Sequence, residues 1–173
     1  MIRFFNRDDF LWSRTERVKT MADRHKVGII GTGFVGMAAA YSIFQQKLAR
    51  EIVLVDRNQA KAEGEALDMM HGQPLVGRCS VKAGNFSELQ DAGLIVICAG
   101  IGQASANESR LELLQKNITV FKDIAEELDH YAPEALLLIA SNPVDILTQA
   151  MQCLSQRSRK LIIGTGTFGS FEF

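Results

Sequence analysis

No stretch of this chain is apolar for long enough to cross a bilayer: its longest apolar runs, residues 94–99 and 135–140, are strand-sized. An excess of one charge is missing too. Nineteen Lys and Arg stand against 20 Asp and Glu, a formal net charge of -1, which gives no grip on nucleic acid or an anionic membrane. Cysteine is scarce. Cys79, Cys98 and Cys153 are widely spaced, odd in number and form no C-x-x-C pair, so neither a disulfide framework nor a metal site is expected and a reducing cytoplasm is. Repeats and low-complexity tracts are absent. The first 20 residues lack the apolar core of a secretory signal, and Asp8, Asp9 and Glu16 argue against a transit peptide. What remains is an ordinary globular mixture, 47% apolar and 23% charged, in 173 residues, enough for one domain with its own core.

The most informative segment is Val27-Gly28-Ile29-Ile30-Gly31-Thr32-Gly33-Phe34-Val35-Gly36, an apolar strand that turns through glycines straight into a helix. Asp56 follows 20 residues after Gly36 and closes a second apolar strand. Holding a dinucleotide requires this arrangement. Gly31 permits the sharp turn, Gly33 lets backbone N–H groups approach a pyrophosphate, and Gly36 lets the helix pack on the sheet. The helix N-terminus offers the phosphates donors and a positive dipole. Asp56 can accept from the adenosine ribose hydroxyls, favouring NAD over its 2′-phosphorylated form. A lone G-x-G-x-x-G is weak; strand, helix and acid in register make it strong.

From Lys26 onward short apolar runs alternate with helical patterns. Strands are expected at 26–30, 51–55, 81–83, 94–98, 136–140 and 161–163, and helices at 34–47, 58–70, 108–130 and 144–155. In the third helix Leu111, Leu114, Ile118, Phe121, Ala125 and Leu128 form one stripe, and Pro133 ends it. The pattern is that of an α/β, Rossmann-type doubly wound parallel sheet of six strands in the order 3-2-1-4-5-6, with ligand at the strands' carboxyl ends. Residues 25–173 form this domain. Residues 1–24, with Phe4, Phe5, Phe10 and Trp12 among mixed charges, form either an arm that meets a neighbouring subunit or an over-long start, since Met21 stands just before the first strand.

The loops after the strands carry the chemistry. After the fourth, Ala99–Gly100–Ile101–Gly102–Gln103 continues through small residues to Glu108-Ser109-Arg110, able to fold over a ligand and deliver Arg110. After the fifth, Ser141-Asn142-Pro143-Val144-Asp145 presents the Asn142 amide, and the bond before Pro143 is a candidate for the cis form.

The glycine turn with Asp56, Leu67-Asp68-Met69-Met70-His71-Gly72, Glu108-Ser109-Arg110-Leu111, Gln115-Lys116-Asn117 and Ser141-Asn142-Pro143-Val144-Asp145-Ile146-Leu147-Thr148 together resemble the NAD-dependent L-lactate dehydrogenases of the lactate/malate dehydrogenase family, from about Lys26 to Gly166. The resemblance implies that Gly31, Gly33, Val35 and Gly36 line the pyrophosphate of NAD, Asp56 the ribose, and Lys61 the outer adenosine side. Gly100 and Ile101 would pass beneath the cofactor and Thr165 lie near it. Arg110 would polarise the substrate carbonyl, and Asn142 would bond both substrate and nicotinamide. Gln103 falls near the specificity position, where a neutral amide suits pyruvate's methyl and malate dehydrogenases use arginine. The loop is one residue longer than usual, which leaves the register of Gln103 open. Lys61 reads first as an exposed helix lysine with at most a weak cofactor contact, and Asp68 and Asp145 read as helix packing and capping residues rather than proton-transfer groups.

The resemblance also implies a general acid/base histidine, an aspartate orienting it and a second, carboxylate-clamping arginine, all beyond the sixth strand. Ser170 and Phe173 stand where the aspartate and arginine are expected. The expectation is therefore a cofactor domain without its substrate domain, unable to reduce pyruvate alone. His25, His71 and His130 fall at the amino-terminal edge of the sheet, away from the ligand. Several readings stay open: a fragment of an L-lactate dehydrogenase that acts on a 2-oxo or 2-hydroxy acid as a homo-oligomer; a malate or other 2-hydroxy-acid dehydrogenase fragment; a stand-alone NAD-binding module; and an interaction protein with a vestigial crevice.

Overall fold

The apolar runs of the sequence become strands because only a sheet covered on both faces buries every residue of such a run. A computed structural model describes residues 25–102 and 109–166; the arm expected at residues 1–24 lies outside them. Among the described residues are six parallel strands: β1 (Lys26–Ile30), β2 (Glu51–Val55), β3 (Ser80–Ala83), β4 (Leu94–Ile97), β5 (Leu136–Ile139) and β6 (Ile162–Gly164). Their order is β3-β2-β1-β4-β5-β6, as expected. β1 is shared between two halves, with Gly28 opposite Val53 on one side and Ile95 on the other. The strand order therefore reverses at the carboxyl ends of β1 and β4, where such sheets hold ligands.

Helices α1 (Phe34–Gln45) and α2 (Gln59–His71) cover one face, burying Phe44, Ala62 and Met69 against Ile29, Ile52 and Leu54. Helices α4 (Arg110–Tyr131) and α5 (Val144–Leu154) cover the other, where Phe121, Leu128, Leu147 and Met151 meet Val53, Ile95, Ile97 and Leu137. Alternate residues of β2 thus serve opposite cores, as the two-residue period of a strand dictates. A one-turn helix α3 (Gln73–Val76) and 3₁₀ turns at Phe86–Leu89 and Arg159–Leu161 were not expected. Elements of three or four residues are too short to show a period. The second 3₁₀ turn takes up Leu161, so β6 begins one residue later than its apolar run.

The α4 stripe holds only in part. Phe121, Ala125 and Leu128 are buried and Leu114 and Ile118 pack partly, but Leu111 is 72% exposed. Ser109 caps the helix, its hydroxyl accepting from the Glu112 N–H while the Glu112 carboxylate accepts from the Ser109 N–H.

At the amino-terminal edge the Arg157 guanidinium is buried. It donates to Asp129 (3.1 Å), to the Ser155 hydroxyl (3.0 Å) and to the Ala132 and Ala135 carbonyls (3.3 and 2.9 Å). Asp129 also accepts from the Ser155 hydroxyl (2.6 Å) and the Gln156 N–H (2.7 Å), so the exits of α4 and α5 are locked together. Removing one partner of a buried ion pair strands the other. Arg157→Ala is expected to cost about 3 kcal/mol, read as a lower urea midpoint at unchanged slope; a midpoint equal to the parent's would contradict the lock.

Candidate functional site

The crevice forms where β1 and β4 leave the sheet. Gly31 has φ +96°, and a Cβ there would stand 2.7 Å from the Ala99 nitrogen and 2.8 Å from its Cα, so any side chain would collide with backbone. The Gly31 N–H donates to the Val55 carbonyl (2.8 Å), tying the turn to β2 as well. Two residues on, Gly33 is the N-cap of α1, and a Cβ there would meet nothing within 4 Å. No side chain caps this helix, whose first N–H groups have no partner within it. An open, uncapped helix start with a positive dipole is a ready phosphate site. Val35, in its first turn, is exposed. Gly36 is buried in the turn: a Cβ there would collide with the Gly31 carbonyl oxygen.

Asp56 stands just past β2. One of its oxygens accepts from both the N–H and the hydroxyl of Thr32 (2.7 and 2.9 Å), and the other from the Asn58 N–H (2.9 Å). Burial pulls the carboxyl's pKa up, but these hydrogen bonds from Asn58 and Thr32, helped by the charge of Lys61, outweigh it and hold the group below its ordinary value of 3.8. A carboxylate has about four acceptor positions, so a further donor such as a sugar hydroxyl can be accommodated. Lys61 itself is exposed on α2, and Asn58 caps that helix by accepting from the Lys61 N–H (3.1 Å). Thr32, between Gly31 and Gly33, was given no role from the sequence. It is 1% exposed and links the turn to the acid.

On the other side of β1, the segment after β4 passes Gly100 and Ile101 along the crevice. The Asn117 side chain, 3% exposed, accepts from the Ile101 N–H (2.7 Å) and donates to the Ile101 carbonyl (3.3 Å). Buried Ser141 donates from its hydroxyl to the Ile97 and Ala99 carbonyls. Asn142 follows, exposed, with a cis bond to Pro143. Thr165 lies past β6, its N–H and hydroxyl both donating to the Ile139 carbonyl (3.0 and 3.2 Å). Arg110 is the first residue of α4, which runs against the strands, so it starts at this same edge. The carboxyl edge therefore gathers Gly31, Gly33, Gly36, Asp56, Gly100, Ile101, Arg110, Asn142 and Thr165. Gln103, Ser170 and Phe173 lie outside the described residues.

The three histidines sit at the opposite edge. His25 precedes β1, and His71 and His130 lie at the ends of α2 and α4. Cys98 is half-buried, and burial pushes its thiol pKa up, away from nucleophilic use. Among the described residues no group of His, Cys, Asp or Glu could hold a metal ion, and no helix is long and apolar enough to cross a membrane.

A family profile described as the NAD-binding domain of lactate/malate dehydrogenase matches residues 25–164. The chain belongs to the lactate/malate dehydrogenase family. It carries that family's NAD-binding domain, and the open glycine turn beside an ionised Asp56 fits the cofactor. It is 51% identical over 147 residues to an L-lactate dehydrogenase of Salinibacter ruber, covering 85% of this chain and 46% of that protein. Against the Thermus aquaticus L-lactate dehydrogenase it is 42% identical, covering 82% and 46%. Among solved structures, a lactate dehydrogenase from a Medee basin deep-sea metagenome library superposes with a TM-score of 0.79 at 41% identity, covering 83% of this chain and 46% of that one. The malate dehydrogenase of Picrophilus torridus gives 0.77 at 32% identity, with the same coverage. The chain thus spans about half the length of the relatives it matches.

Two outcomes follow from this geometry. Gly36→Ala, which drives a methyl into the Gly31 carbonyl, is expected to cost roughly 1–3 kcal/mol, seen as a lower unfolding midpoint; an unchanged midpoint would mean the helix can retreat freely. Asp56 is more acidic folded than unfolded, so its contribution to stability is present above the ordinary carboxyl value of 3.8 and is lost as pH falls through the lower folded value. Asp56→Asn is therefore expected to be less stable than the parent at neutral pH, with the gap closing only below pH 3.8. A gap that stays constant into acid would show that the hydrogen bonds, and not the charge, set the difference.

Proposed function

We propose that this chain is the cofactor half of an L-lactate dehydrogenase, acting in the transfer of a hydride between NADH and a small 2-oxo acid such as pyruvate. The observation that carries the reading is the ionised Asp56, bound to the Thr32 of the glycine turn and set beside an uncapped helix start. A phosphate at Gly33 and a ribose at Asp56 are thereby offered adjoining places, and a 2′-phosphate would meet a negative charge.

NADH, when bound, supplies the hydride; the chain's own residues bind, orient and polarise. Gly31, Gly33, Val35 and Gly36 would hold the pyrophosphate, Asp56 the adenosine ribose and Lys61 the outer adenosine side. Gly100 and Ile101 would floor the cofactor, with Thr165 close by. Arg110, opening α4 at this edge, would place positive charge where negative charge grows on the substrate carbonyl. Asn142 would bond substrate and nicotinamide, and Gln103 would present a neutral amide to the substrate's methyl. Among the solved structures reported above, 41% identity to a lactate dehydrogenase against 32% to a malate dehydrogenase supports this branch. The same reading makes the parent enzyme a homo-oligomer, and the free cysteines favour a cytoplasmic setting.

Calorimetric titration tests the first step: NADH is expected to bind at least about tenfold more tightly than NADPH, with Asp56→Ala narrowing the difference. Equal binding of both would remove the role given to Asp56. Supplying the complementary half of the Salinibacter ruber enzyme is expected to yield NADH-dependent reduction of pyruvate in preference to oxaloacetate. The reverse preference would move the chain to the malate branch.

A further inference from the structure

We infer that Asn117 is a positioning residue for the cofactor, acting through the backbone of Ile101. The inference rests on the reading of the crevice as an NAD site. It begins with an oddity in α4. The helix buries Phe121, Ile124, Ala125 and Leu128 in one apolar stripe, and one turn earlier that stripe arrives at Asn117, an amide that is 3% exposed. If packing alone were required, a leucine of similar size would avoid the cost of burying a polar group.

The amide spends its hydrogen bonds on one peptide. Its oxygen accepts from the Ile101 N–H at 2.7 Å, and its nitrogen donates to the Ile101 carbonyl at 3.3 Å and to the Leu113 carbonyl at 3.1 Å. The reciprocal pair with Ile101 gives that residue what a neighbouring strand would give, four residues beyond the end of β4. Gly100 permits the approach: a Cβ there would stand 3.2 Å from the Asn117 oxygen. From the other side Ser141 holds the Ile97 and Ala99 carbonyls. Yet the segment so fixed is not itself core, since Gly100 is exposed and Ile101 is 37% exposed. A rigid backbone facing an open crevice is a floor for a ligand.

The strand order says which part of the ligand. Asp56 lies on the β2 side of β1, so the adenosine half goes there, and Ile101 on the β4 side meets the half beyond the pyrophosphate. Loss of Asn117 is thus expected to weaken NADH and spare AMP.

The test titrates the 173-residue chain, Asn117→Leu and Asn117→Asp with NADH and with AMP, alongside thermal unfolding. Asn117→Leu is expected to lose about tenfold or more in NADH affinity with AMP affinity unchanged. Asn117→Asp keeps the acceptor for the Ile101 N–H but loses both donors, and is expected to show the same split to a smaller degree. If the leucine variant does not fold, the aspartate variant decides. Equal losses for NADH and AMP would make Asn117 a merely structural residue, and unchanged affinity for both would remove it from the site; either overturns the inference. A parent chain that binds neither ligand overturns the NAD reading itself, and this inference with it.

Discussion

The contact on which the crevice depends is the one between two backbones, where the turn at Gly31 touches the exit of β4 at Ala99. The turn needs a positive φ, and the space beside it is filled by the Ala99 nitrogen and Cα. A residue with a Cβ would have to push β1 and β4 apart at their carboxyl ends. The strand order reverses at that junction, so the opening between the two halves of the fold is set there. Gly36 repeats the constraint one step on, bringing α1 down onto the Gly31 carbonyl. Two absent side chains fix both the direction of α1 and the place where its open end points.

Electrostatics then divides the crevice. On the β2 side the hydrogen bonds of Thr32 and Asn58 keep Asp56 charged although it is partly buried. Next to it, α1 opens with a positive end that its N-cap, Gly33, leaves without a side-chain cap. A ligand with sugar hydroxyls on one flank and phosphate on the other meets complementary groups in that order. The opposite edge of the sheet carries a different load. A chain of ion pairs runs from Lys26 and Glu51, at the starts of β1 and β2, to Lys82 in β3 and Glu88 in the following 3₁₀ turn, and Arg157 with Asp129 ties the exits of two helices. Ion pairs brace the edge opposite the one where the residues proposed for binding gather.

Much of this was legible in the sequence, because it rests on local patterns. Apolar runs of strand length gave the sheet, and the glycine spacing with Asp56 gave the turn. The start of α4 was visible in Glu108-Ser109-Arg110, although the helix itself begins at Arg110 with Ser109 as its cap. What escaped depends on contacts between distant positions. Asn117 meets Ile101 from 16 residues away, Arg157 meets Asp129 from 28, and Thr32 meets Asp56 from 24. A polar residue on an apolar stripe is a weak signal for such a partnership, and the Gln115-Lys116-Asn117 motif gave Asn117 a place in the resemblance but no partner. Leu111 failed for the complementary reason: periodicity assigns a face but cannot say where along a helix the sheet stops covering it.

Asn117 joins the two parts of the proposed site that chain order keeps apart. It stands seven residues after Arg110 on one continuous helix, about 10 Å along the axis. Its amide grips the Ile101 peptide, so the floor assigned to the cofactor and the helix bearing the residue assigned to the substrate carbonyl share one rigid anchor. Residues 103–108 connect Ile101–Gly102 to the cap at Ser109, and both ends of that span are held: Ile101 by Asn117, Ser109 by the reciprocal bonds with Glu112.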